Sequence, residues 1–87
     1  MQTLQIVQLL DLKTNIWSVP YFVPSVPGWL RAIQDECNNQ STQHDFAKHP
    51  GDFQAWHTGT WNDETNKIEA PEARLLAKLD DLVINRH

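Results

Sequence analysis

KHPGDFQAWHTGTWNDETNK, from Lys48 to Lys67, decides the fold, because a turn opener, an aromatic strand and a hairpin loop follow one another in it without a break. Pro50 sets φ for the second position of a turn after His49, and Gly51 permits positive φ at the third. Phe53 to Trp61 then alternates as a strand does. Phe53, Ala55, His57, Gly59 and Trp61 fall on one face, and Gln54, Trp56, Thr58 and Thr60 on the other. Asn62 to Asn66 supplies hairpin-loop chemistry, and Lys67 to Glu69 returns as the partner strand.

Upstream, Thr3 to Leu10 places Leu4, Ile6 and Leu10 on one face and Val7 and Leu9 on the other, the pattern of a strand covered on both sides. Asp11 to Asn15 is a turn. Ile16 to Val23 forms a second strand interrupted at Pro20, which confines it to an edge or a bulge. Ser25 ahead of Pro27 offers a cap oxygen and a pre-set φ, so a helix runs from about Pro27 to Asn38 with Trp29, Leu30, Ile33 and Cys37 as its apolar stripe. Gln40 to Lys48 is polar apart from Phe46 and Ala47 and reads as a surface loop.

Downstream, Pro71 can open a helix carrying Leu75, Leu76, Leu79, Leu82 and Val83 on one stripe, with Glu72 in its first turn. The resulting expectation is a single α+β domain over residues 1–87, with an antiparallel sheet of about four strands and two helices in the order ββαββα. A chain of 87 residues buries only about 60–65% of its unfolded surface. The leucine stripe exceeds what one face of a short helix needs, so a homodimer is expected.

The net charge of −4 and a pI near 5.4 argue against duplex binding driven by a basic surface. Cys37 is alone, which excludes an intrachain disulfide and suits a reducing compartment; it reads as a small core residue. Met1 to Leu10 has neither a basic start nor a long apolar run, so no signal peptide and no membrane span are expected. His44, His49 and His57 lack metal-site spacing, so no metal and no cofactor are expected. Nucleophile–base sets and phosphate-binding glycine loops are also missing, and Asp63 and Glu64 belong to a hairpin loop, so the chain is not expected to be an enzyme.

The aromatic residues allow a sharper expectation. Single-stranded DNA is held by bases stacked on rings beside local positive charge, and Trp17, Trp56 and Trp61 are candidates for stacking. Tryptophans in so small a domain ordinarily form its core. Trp56 is the exception, since it shares a strand face with Gln54, Thr58 and Thr60 and must be exposed or at an interface.

Lys48, His49, Pro50, Asp52, Phe53, Gly59, Trp61 and Asp63 together resemble the small nonstructural DNA-binding protein of gokushoviruses, a branch of the Microviridae, which are single-stranded DNA phages. Gly51 stands where that pattern has an acid, Asn62 replaces the first Asp of a pair, and Asn66 takes the place of a Gly. Asn tolerates the left-handed conformation, so the hairpin should survive. The resemblance implies a phage nonstructural accessory protein in the host bacterial cytoplasm that binds single-stranded DNA during genome synthesis and the switch to packaging. If it carries function, Lys13, Arg31, Lys48 and Lys67 must gather on one face to meet phosphates. The alternative is a protein-interaction module that engages a phage or host replication or assembly protein through the C-terminal leucines and an acidic surface.

Overall fold

The structure, a computed structural model, describes residues 2–84. It is an α+β fold with one antiparallel sheet of six strands and two helices. β1 (Thr3–Asp11) and β4 (Phe53–Asn62) are long and lie side by side at the centre. The outer edge of β1 pairs with two short strands, β2 (Ile16–Trp17) and β3 (Tyr21–Val23). The outer edge of β4 pairs likewise with β5 (Lys67–Glu69) and β6 (Arg74–Lys78). More strands form than were expected because the strand beside β1 is broken in two and because Arg74–Lys78 is a strand where a helix was expected.

The break between β2 and β3 falls at Pro20, as its missing N–H dictates. Ser18 compensates there: its N–H donates to the Leu9 carbonyl at 2.8 Å, and its hydroxyl accepts from the Leu9 N–H at 2.9 Å. Both hairpin turns are built alike. Asp11 Oδ1 accepts from the N–H groups of Lys13 and Thr14, and Asn62 Oδ1 accepts from those of Glu64 and Thr65. Each turn closes on an asparagine in the left-handed region, Asn15 and Asn66, both at φ 57°.

Helix α1 (Val26–Cys37) is capped by Ser25, whose Oγ accepts from Gly28 N–H at 3.2 Å. Its Ile33 and Cys37 join Leu9, Ala47, Ala55 and Leu79 in the core, with Trp29 and Leu30 packed against them. A second, one-turn helix, α2 (Asp45–Lys48), occupies the stretch expected to be a loop, because Phe46 and Ala47 are drawn into that core. A 3-10 turn, Pro50–Asp52, leads into β4. Gly51 lies in it without positive φ and with open space where a Cβ would stand, so the acid of the resembling pattern would fit there.

The C-terminal helix expected after Pro71 does not form. Arg74–Lys78 is strand β6, followed by a 3-10 turn, Leu79–Leu82. β5 covers only Thr60–Asn62 of β4, which leaves the backbone groups of Gln54–His57 to be paired by another strand. The leucine spacing serves this arrangement equally well. Leu76 is the extra residue of a β-bulge and turns into the core beside Ala77, while Leu79 and Leu82 have the i, i+3 spacing of a 3-10 turn. Leu76, Leu79, Leu82 and Val83 are thus spent inside the domain, which removes the leucine stripe as a ground for dimerisation. Asn38, the α1 C-cap, ties this segment down: its Nδ2 donates to Leu82 O and its Oδ1 accepts from Ile84 N–H at 2.7 Å.

An aromatic sheet face as candidate nucleic-acid interface

Cross-strand partners in an antiparallel ladder project to the same side, so the register assigns every strand position to one of two faces. Val7, Leu9 and Ala55 lie on the side covered by α1, α2 and the 3-10 turn at Leu79–Leu82. On the other side Leu10 is flanked by Trp17 and Gln54, Gln8 faces Trp56, Ile6 lies between Phe22 and Gly59, and Leu4 faces Trp61. Ile68 opposite Trp61, Leu75 opposite Trp56 and Lys78 opposite Gln54 extend the same side. No helix covers it.

Strict alternation would put Trp56 and Trp61 on opposite faces, since they are five residues apart. A β-bulge prevents this: Ile6 pairs with Gly59 and Val7 with His57, so Thr58 is an extra residue and the parity of β4 reverses across it. Gly59 is required beside the bulge. A Cβ there would come 2.5 Å from the Glu69 carbonyl oxygen, so a glycine is what lets β5 approach. Alternation alone therefore assigned the faces correctly up to His57 and wrongly beyond it.

The rings on this face form two edge-to-face pairs. Trp17 and Trp56 have centroids 5.7 Å apart at 71°, and Phe22 and Trp61 have centroids 6.4 Å apart at 86°. Together they bury Leu10 and Ile6 while remaining accessible, Trp17 being 42% and Phe22 45% exposed. Each Trp of β4 is fixed through its indole N–H. Trp56 donates to Gln54 Oε1 at 3.1 Å, and Trp61 donates to Asn66 Oδ1 at 2.9 Å. Asn66 thus does more than a glycine would: it takes the left-handed turn position and also holds a ring. Leu4, Phe22, Trp61 and Ile68 enclose a shallow apolar cavity of about 350 Å³ at the second pair.

Charge is distributed unequally between the faces. The chain carries 11 Asp and Glu against 7 Lys and Arg, yet the strand positions of the aromatic face include no acid, and their one charged residue is Lys78. The four cations expected to gather are dispersed. Lys13, in the β1–β2 turn, lies 3.7 Å from Asp52 as an ion pair. Lys67 pairs with Asn62 at the far end of β4, about 30 Å away by strand rise, and on the side opposite Trp61. Arg31 and Lys48 are exposed on α1 and α2, in the helical layer. Of the three tryptophans named from sequence, all lie on the aromatic face. Phe22, Gln54, Asn66 and Lys78 were missed, because only the register reveals their company.

Other chemistry lies off this face. Cys37 is buried in the core, and that burial, with Glu36 adjacent in second place, pushes its thiol pKa up to about 11. His57 faces the helical side, with Nδ1 3.4 Å from an Arg74 guanidinium nitrogen and a buried Nε2 that has no partner among the described residues. Among the described residues no cluster of three His, Cys, Asp or Glu is placed to hold a metal, and no helix is long and apolar enough to cross a membrane. In comparison with known families, residues 4–82 match the one described as Phage ORF5 protein. No curated protein and no solved structure matches the chain.

Proposed function

Because the chain belongs to the Phage ORF5 protein family, we propose that it is a non-enzymatic phage accessory protein that binds single-stranded DNA on its aromatic sheet face during phage genome synthesis and the switch to packaging. The observation that carries this reading is the set of four rings, Trp17, Phe22, Trp56 and Trp61, on an uncovered face free of acidic strand residues. Unpaired bases stack on such rings whatever their sequence, at about 1–3 kcal/mol each. Duplex DNA offers no free base faces, and a chain of net charge −4 has little to attract it otherwise. The gokushovirus resemblance agrees with the family on phage origin and supplies the single-stranded genome as a substrate.

Titration of tryptophan fluorescence with oligothymidylate and with duplex of equal length tests the reading. Single strands should quench and bind; duplex should not. Trp56→Ala should weaken binding about 5- to 150-fold, the equivalent of about 1–3 kcal/mol for one stacked base. Equal affinity for both forms, or no effect of Trp56→Ala in a variant that remains folded, would reject it.

A second reading rests on the cavity between Phe22, Trp61 and Ile68, where Ile68 is 61% exposed. A phage or host replication or assembly protein, or a second copy of the chain, would bury this apolar surface. Failure of every oligonucleotide to bind, together with self-association abolished by Ile68→Lys, would favour it.

A further inference from the structure

The two ring pairs are separated along the sheet, and that spacing says how a strand would lie on it. Trp56 is opposite Gln8 and Trp61 is opposite Leu4, so the pairs stand four residues of β1 apart, about 13 Å by strand rise. Stacked bases follow one another at about 3.4 Å. Two neighbouring stacked bases therefore cannot reach both pairs.

Within each pair the planes are close to perpendicular, 71° and 86°, so the two rings cannot both lie flat on the sheet and each pair forms a corner. Hydrogen bonds from Trp56 to Gln54 and from Trp61 to Asn66 hold both corners before any ligand arrives. Lys78 stands at the first corner only, opposite Gln54, and it makes no ion pair among the described residues.

Resting on the single-strand reading above, we propose that the face is a two-corner clamp. One base stacks at Trp17 and Trp56, a non-adjacent base of the same strand stacks at Phe22 and Trp61, and Lys78 meets a phosphate beside the first. Two consequences distinguish such a clamp from a general basic groove. Affinity rises in a step once an oligonucleotide is long enough to reach both corners, because the second contact becomes intramolecular. It changes little with salt, because a single phosphate is neutralised, giving a slope of about −0.7 in log K against log salt.

Fluorescence anisotropy with labelled oligothymidylates of two to eight nucleotides, over a range of salt, tests this on the full chain. The clamp gives weak binding for the dinucleotide and a gain of about a hundredfold at a threshold length. Trp61→Ala removes the step and confines dinucleotide binding to the first corner, and Lys78→Gln, an exposed and fold-neutral change, brings the salt slope close to zero. Phe22→Leu serves as a milder disruption of the second corner if Trp61→Ala does not fold. Affinity that rises smoothly with length, or a salt slope several times steeper and unaffected by Lys78→Gln, overturns the clamp and leaves single-strand binding standing. Absence of binding at every length overturns both.

Discussion

Gly59→Ala offers the sharpest test of how the aromatic face is assembled. Gly59 does not use positive φ, so alanine would suit its backbone and, by narrowing the unfolded ensemble, would gain about 0.4–1 kcal/mol. Against that, the new Cβ would lie 2.5 Å from the Glu69 carbonyl oxygen, with the Ala70 Cα at 3.5 Å, and backbone cannot swing aside as a side chain can. Overpacking of this kind costs about 1–3 kcal/mol, which outweighs the gain and leaves a net loss of about 1–2 kcal/mol. In a domain of this size the melting temperature should fall by roughly 5–15 °C, measured by far-UV circular dichroism. Gly51→Ala is the matched control. With negative φ and open space it should be neutral or raise the melting temperature slightly. If Gly59→Ala melts with or above the wild type, β5 does not approach β4 as described, and the placement of Ile68 beside Trp61 fails with it.

Deletion of Thr58 should remove the bulge, restore strict alternation and send Trp61 to the side opposite Trp56; loss of near-UV tryptophan ellipticity together with oligonucleotide binding would be the outcome, and a variant that still binds would contradict the register. Asn66→Gly should keep the hairpin but release the Trp61 indole, giving a red-shifted emission with a small loss of stability, about 0.5–1.5 kcal/mol for one hydrogen bond. Cys37 should react with thiol reagents only at the rate of unfolding. Its pKa is raised in the folded state to about 11 from an ordinary 9.0, so the folded chain holds the proton longer; this contribution to stability is intact below about pH 9 and is lost as pH rises toward 11, which urea midpoints across that range will show.

Local chemistry made much of this fold legible in the sequence. Ser25 announced its helix, Pro20 its break, and Asn62 to Asn66 its turn, because each acts on its own neighbours. Two features escaped because their causes are distant in sequence. The Leu75 to Val83 stretch has helical spacing, but the unpaired edge of β4 claims its first half as a strand, and nothing within the stretch records that demand. The reversal of β4 at Thr58 is set by the partner strand, so alternation put Trp61 on the wrong face and Trp56 on the face it occupies. Lys78 was hidden by the first of these: on a helix it has no relation to Gln54, whereas in β6 it stands directly opposite. The cations that the resemblance drew attention to are spread over the ends and the helical layer, and no local pattern could have shown that.

The interruption of both outer rims of the sheet bears on self-assembly. A continuous edge of unpaired amides beside an apolar face would invite further chains to add as strands, and from there to fibrils. Here each outer rim is cut into ladders of two to five residues, interrupted on one side near Pro20 and on the other across the Ala70 to Ala73 segment that contains Pro71. Neither rim presents a straight run for an incoming strand to copy. The rings can therefore be left open to a ligand without the sheet becoming a template for its own polymer.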